Sequence, residues 1–178
     1  MEQYIAFLRG INVSRQKTIK MEALRTAFSD YGFEAVKTYI QSGNVLFKTD
    51  ISDESQLVYE IEDLIEKGFG FRTDVILRKT NDLEFILHSS PIGKLSDNKE
   101  KKIYITFLKN PFQQFISVPL YSKNKDIEIV FQNNLDLISF SHEVKGSYGF
   151  PNSFIEKLTG IPATTRNPNT LEKILAMV

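Results

Sequence analysis

The chain contains no cysteine, which removes disulfides, thiolate nucleophiles and cysteine-ligated metal sites together. It has no net charge: 22 lysines plus arginines balance 22 aspartates plus glutamates. Duplex nucleic-acid binders usually concentrate a basic excess on one face, so nucleic acid is disfavoured as a partner, leaving room only for a local basic patch. No apolar segment of signal-peptide type opens the chain and no apolar run reaches membrane length. The reading is therefore a soluble, cytoplasmic protein with no membrane contact. Histidine is scarce, limited to His88 and His142. They are far apart and neither has a nearby acidic partner in a recognised motif, so both read as structural. HExxH spacing, a Walker loop and the dinucleotide fingerprint are all missing, and neither a metal nor a cofactor is expected.

What is present is an ordinary globular composition, 42% hydrophobic and 25% charged over 178 residues. That length suits one domain or two small ones and allows about 70% of the unfolded surface to be buried. Gln3 to Arg9 reads as a strand buried on both faces. Met21, Leu24, Phe28 and Tyr31 recur at helical spacing ahead of Gly32. Ala35 to Ile40 and Asn44 to Lys48 read as a hairpin around Gln41-Ser42-Gly43. Asp53 with Gln56 looks like a capping box for a helix carrying Leu57, Ile61, Leu64 and Ile65. Gly68 and Gly70 mark its exit, and Phe71 to Arg78 reads as a fourth strand.

The same order then recurs. Asn81 with Glu84 resembles a second capping box, and the polar stretch from Ser89 to Lys102 reads as a linker. Beyond it lie a strand at Ile103 to Leu108 and a short helix after Pro111. Strands at Ile127 to Phe131 and Leu135 to Phe140 flank Asn133-Asn134, which can take the left-handed turn of a hairpin. Ser153 to Leu158 reads as a helix stopping at Gly160, and Ala163 to Arg166 as an edge strand. Asn169 and Glu172 would cap a terminal helix. The fold class is thus α+β, two consecutive ferredoxin-like β-α-β-β-α-β plaits with a C-terminal helix. The divisions are 1–80, a connecting helix and linker at 81–102, and 103–178 with the terminal helix.

Two motifs are denser in polar groups than strands and turns require: LRGINV (Leu8 to Val13) and TYIQSGNVLF (Thr38 to Phe47). The right-handed crossover brings the exit of strand one and the strand two–three turn to one end of the sheet. Arg9, Asn12, Ser42 and Asn44 are therefore expected in one pocket, with Arg9 as the principal anion donor. Arg166 and Asn167 form a second candidate cluster beside the loop Lys145 to Phe150. Arg9, Arg15, Lys17 and Lys20 make a basic run feeding a helix N-terminus, a setting that favours anions. The competing structural expectation is that Arg9 pairs with a carboxylate such as Asp50 while Asn44 closes the hairpin.

These motifs, with Lys20-Met21, Thr165-Arg166-Asn167 and Asn169-Thr170, resemble a bacterial family of uncharacterised proteins, domain of unknown function 1697. The resemblance covers essentially the whole chain. It implies an α+β fold of two plait-like subdomains and no established activity. Ser14-Arg15 stands where that family usually has a glycine pair, and Pro168 where it usually has an aromatic residue.

Three functional classes follow from the residues. The favoured one is binding of a small anionic ligand, a nucleotide or phosphorylated metabolite, at the strand-end loops. A phosphatase-like enzyme using Arg9 with Asn44 is the alternative, by analogy with acylphosphatases, although the glycine-rich acylphosphatase loop is missing. A plait-mediated interaction protein, including a homo-oligomer, is the third. RNA recognition through Tyr4 and Phe47 is weaker, because the third-strand consensus is absent.

Overall fold

The computed structural model describes residues 1–13, 17–88, 92 and 101–178. The chain divides into two compact units, Met1–Glu84 with Lys173–Val178, and Phe85–Glu172.

Unit one runs β1 (Glu2–Leu8), α1 (Met21–Tyr31), β2 (Glu34–Tyr39), β3 (Asn44–Thr49), α2 (Glu54–Phe69) and β4 (Val75–Lys79). Its sheet order is β2-β3-β1-β4 with every neighbour antiparallel, the order of a ferredoxin-like plait. Alternation along each strand sorts the side chains by face. Tyr4, Ala6, Leu8, Val45, Phe47, Val75 and Leu77 join Leu24 and Phe28 of α1 and Leu57, Ile61 and Ile65 of α2 in one core. Each large side chain buried there contributes about 1.5–3 kcal/mol. Helix α1 stops at Gly32, whose φ of 106° lets its N–H cap the last turn. Helix α2 starts at Asp53, whose carboxylate accepts from the N–H groups of Ser55 and Gln56. The fourth strand is shorter than its sequence pattern, because pairing with β1 begins only at Val75 opposite Leu8.

Helix α3 spans Thr80–His88. Asn81 therefore lies inside its first turn, not at a cap as the sequence pattern predicts. Of the predicted linker at 89–102, residues 89–91 and 93–100 lie outside the described residues.

Unit two contains β5 (Lys101–Leu108), β6 (Leu120–Tyr121), β7 (Ile127–Gln132), β8 (Asp136–Val144), β9 (Ser147–Tyr148), α4 (Pro151–Thr159) and β10 (Ala163–Arg166). The sheet path is β10-β5-β8-β7-β6, with β9 on β8. Its first four strands repeat the plait order, and β6 extends the edge.

The helix predicted after Pro111 does not form. The Phe112 N–H donates to the Asn134 carbonyl at 2.7 Å, and the Ile116 N–H to the Gln132 side chain at 2.9 Å. Pro111 has no N–H to offer, and these outside acceptors draw the neighbouring donors away from a helical ladder. Phe112 and Ile116 still bury their side chains, which is why their spacing imitates a helix. The β7–β8 connection also differs from its prediction, since neither Asn133 nor Asn134 has positive φ. Instead the Asn133 side-chain oxygen accepts from the Leu135 and Asp136 N–H groups at 2.8 and 2.6 Å, an Asx-type turn.

The terminal helix α5 (Pro168–Leu175) buries Leu171 and Ile174. Its cap is Asn167, whose side-chain oxygen accepts from the Thr170 N–H at 2.8 Å, not Asn169. Pro168 suits the first helical position, where no N–H is required, and this moves the cap one residue ahead of it. Lys173–Val178 groups with unit one, where the Met177 carbonyl accepts from Lys37 Nζ.

Candidate functional site

The loop after β1 and the β2–β3 turn are tied together by main-chain and side-chain bonds. Leu8 N–H donates to the Gly43 carbonyl at 2.8 Å. Asn12 Nδ2 donates to the Gln41 carbonyl at 2.8 Å and to the Ile19 carbonyl at 3.0 Å. The Asn12 side-chain oxygen accepts from the Ile19 N–H at 2.9 Å. Asn12 adopts a left-handed φ of 56°, a conformation asparagine tolerates better than most residues. Both of its amide protons are thus committed to clamping the loop onto the hairpin.

Gly43 is the reason these two motifs can meet. Its φ is 74°, and a Cβ there would lie 2.8 Å from the Ile11 side chain and 2.9 Å from Leu8 Cβ. Only glycine fits both the dihedral and the contact. Asn44, the next residue, is buried. Its Nδ2 donates to the Tyr39 carbonyl at 3.1 Å and to Ser42 Oγ at 2.9 Å. Asn44 therefore closes the hairpin, and Ser42 serves as its acceptor.

Arg9 extends the β1–β4 ladder by one bond, from its N–H to the Asp74 carbonyl at 2.9 Å. Its guanidinium lies 3.6 Å from the Asp74 carboxylate, and both side chains are half-buried. The partner predicted for it, Asp50, instead holds the N-terminal ammonium at 3.1 Å. Asp50 sits at the far end of β3, opposite the start of β1, out of reach of the β1 exit. Thr73 Oγ1 donates to the Arg9 carbonyl at 2.5 Å. By register, Phe7 lies between Asn44 and Ile76, so these three share one face of the sheet.

Next to Thr73 and Asp74 lies a cleft of about 440 Å³, lined by Lys17, Tyr59, Glu62, Asp63, Glu66, Arg72, Thr73 and Asp74. One wall is a face of α2, where residues 59, 62, 63 and 66 follow helical spacing. The other is the segment before β4, with Lys17 fastened to it through the Arg72 carbonyl at 2.8 Å. Arg72 Nε donates to Glu66 at 2.7 Å, joining the two walls. The bond and charge of Glu66 raise the Arg72 guanidinium above its ordinary range. Asp63 does the same for Lys67, which it meets at 2.8 Å. Glu62 accepts from the Val75 N–H at 2.9 Å, anchoring α2 to the start of β4. Sequence reading passed over this wall because acidic residues on an exposed helical stripe look like a solvated face.

In unit two, Arg166 ends β10 and donates to Thr164 Oγ1 at 2.7 Å and to the Thr165 carbonyl at 2.8 Å. Burial lowers its guanidinium to about 10, so it stays charged at neutral pH. The Asn167 oxygen is engaged in capping α5. His142 does have an acidic partner: its Nε2 lies 2.7 Å from Glu128. That carboxylate also accepts from the Tyr121 hydroxyl at 2.9 Å and raises its pKa. The three come from β8, β7 and β6, so only strand pairing reveals the contact. Arg15 lies outside the described residues. No group of three or more metal-ligating side chains occurs among the described residues, and no described helix is long and apolar enough to cross a membrane.

Two antiparallel sheets in plait order, with a mixed-charge cleft at one strand end, define an α+β protein of tandem plait-like subdomains. The chain belongs to the family described as "Protein of unknown function (DUF1697)", which matches residues 1–133. It is similar in structure to the conserved bacterial protein SP0830 from Streptococcus pneumoniae, with a TM-score of 0.69 and 24% identity over 99% of this chain and 98% of that one. At that identity the likeness speaks for the fold alone. No curated protein matches the chain.

Proposed function

We propose that the protein binds a small anionic ligand, a nucleotide or phosphorylated metabolite, at the strand-end cleft of unit one. The observation that carries this reading is the cleft itself, about 440 Å³, with Lys17 and Arg72 in its walls and Arg9 on its Asp74. Its volume falls within the range usual for small-molecule sites. Three cationic side chains at one strand end can meet a phosphate or carboxylate by charge-assisted hydrogen bonds. In this reading Asn12, Ser42 and Asn44 hold the loops in place instead of touching the ligand, and Arg166 and Asn167 belong to a separate unit.

The binding reading is preferred to a phosphatase-like one for a specific reason. An Arg9–Asn44 pair would need the Asn44 amide to face a substrate, and both of its protons are already donated within the hairpin. RNA recognition is disfavoured because Tyr4 and Phe47 are fully buried in the core beneath α1 and α2. The test is a thermal-shift screen of the full chain against inorganic phosphate, nucleotides and sugar phosphates. A ligand at about 100 times its dissociation constant adds about 2.7 kcal/mol of stability. At about 2–4 °C per kcal/mol for a chain of this size, the midpoint rises by about 5–10 °C. Arg9→Ala and Arg72→Ala should shrink that rise. A flat screen together with a tight homodimer in solution overturns the proposal in favour of an interaction protein. Phosphate release from acetyl phosphate that disappears in Arg9→Ala overturns it in favour of an enzyme.

A further inference from the structure

We infer that the ligand of this cleft is a zwitterion, carrying a protonated amine beside its anionic group. The inference rests on the binding reading above and names the ligand class for the same site. Its ground is the composition of the two walls. Cations come from Lys17 and Arg72, but four carboxylates line the same space: Glu62, Asp63, Glu66 and Asp74. With Lys67 on Asp63 and Arg9 on Asp74 the two signs balance around the cleft, so a ligand of one sign meets as much repulsion as attraction. An ammonium group suits the α2 side, while the anionic group keeps Lys17 and Arg72.

Most of the charges are sorted by wall. Glu62, Asp63 and Glu66 project from α2 with Tyr59, whereas Arg72 and Lys17 sit on the segment leading to β4, where the remaining carboxylate, Asp74, is matched to Arg9. Tyr59 is 70% exposed, so its ring face is open to an ammonium group. The Arg72–Glu66 pair spans the two walls, and the Arg72 side chain is 85% exposed. Exposed pairs of this kind contribute little to stability, so a zwitterion can replace the pair by meeting each member with its opposite charge. The exchange turns one ion pair into two, whereas a pure anion or a pure cation breaks one pair to make one.

The experiment is calorimetric titration of the full chain with three probes: O-phosphoethanolamine, ethyl phosphate and ethanolamine. The expected result is that O-phosphoethanolamine binds about tenfold or more tightly than either one-signed probe. Glu66→Gln, with Asp63→Asn as a second variant on the exposed face, should bring the ratio to ethyl phosphate towards one. Ethyl phosphate binding as tightly as O-phosphoethanolamine overturns the zwitterion while the anion-binding reading stands. Ethanolamine binding as tightly as O-phosphoethanolamine overturns both, in favour of a cation site. Silence from all three probes at millimolar concentration, with a phosphate or nucleotide still giving a thermal shift, removes the zwitterion alone. Silence in both assays removes both readings.

Discussion

The two units share a strand order and even a register, yet fill the same face with different chemistry. In unit one Ala6 lies between Leu77 and Val45, and Tyr4 sits opposite Phe47. In unit two Thr106 lies between Thr165 and Leu137, and Tyr104 sits opposite Ser139. Leu77 and Phe47 are thus matched by Thr165 and Ser139. Unit one has a helix for Phe47 to meet: Phe28 of α1 packs edge-on at 5.5 Å and Phe33 lies 4.7 Å away. Unit two has an irregular segment at the corresponding point of its chain order. There Thr165 Oγ1 meets Thr106 Oγ1 at 2.8 Å and Asn152 of α4 at 3.0 Å. The lesson is that one plait topology accepts either aromatic packing or a hydroxyl chain, depending on which crossover forms a helix.

The largest effect that could break this comparison lies at the hairpin turns. Gly43→Ala combines a left-handed dihedral with a Cβ pressed on Ile11 and Leu8. We expect a loss of about 3 kcal/mol, the sum of about 1–2 for the dihedral and about 1–3 for overpacking. Asn134→Ala in the unit-two turn should cost less than about 0.5 kcal/mol, because Asn133 supplies the turn bonds. Urea unfolding of both variants checks the contrast, and equal losses would mean the turns are interchangeable.

Next in size is Thr165→Val, which keeps the shape but strands the Asn152 oxygen. A loss of about 1–3 kcal/mol is expected, read by chemical denaturation. The Thr106→Val/Thr165→Val double variant should lose less than the sum of the singles, because both ends of one bond disappear together. Additive losses would remove the hydroxyl chain as a unit.

Ser139 sharpens the comparison with an opposite sign. It is fully buried, and its hydroxyl has no hydrogen-bond partner among the described residues. Ser139→Ala should therefore raise stability by about 1 kcal/mol, since an unsatisfied buried hydroxyl costs about 1–3. A destabilised variant would show that Ser139 holds a partner in solution.

The smallest predicted effects contrast the two helices of unit one. Asp53→Ala removes the α2 cap and should cost about 1 kcal/mol. Lys20, at the start of α1, makes no side-chain cap bond. Lys20→Asp should instead add about 0.5 kcal/mol. Helical hydrogen exchange would register both, α2 fraying in the first variant and α1 gaining protection in the second.

Much of the fold was legible in the residues. Buried strands at Gln3 to Arg9 and Ile103 to Leu108, the glycine stops at Gly32 and Gly160, and the edge strand at Ala163 all carry local signals. The turn at Asn133 and the cap at Asn167 differ for local reasons, but other failures share one cause: competition from groups distant in sequence. Phe112 and Ile116 have helical spacing, but Asn134 and Gln132 claim their N–H groups. His142 belongs to no recognised acid–histidine motif in the chain, yet β7 delivers Glu128 to it. The acidic wall of α2 looks like a solvated stripe until the segment before β4 folds across it.

By itself, then, the sequence determined most of the strands and helices, because periodicity, capping side chains and left-handed glycines act over a few residues. It also placed LRGINV and SGN at one sheet end, because the crossover rule leaves a plait little topological choice. Tertiary structure decided the use of each polar group there. Asn12 spends its amide on the Gln41 and Ile19 carbonyls, Asn44 on the Tyr39 carbonyl and the Ser42 hydroxyl, and Arg9 is matched to Asp74 because β4 begins beside it. The cleft likewise depends on pairing, since its two walls meet only after β4 docks on β1 and Glu62 fastens α2 to Val75. Hydrogen bonds and charges saturate by distance in space, and distance in space is what a linear pattern does not contain.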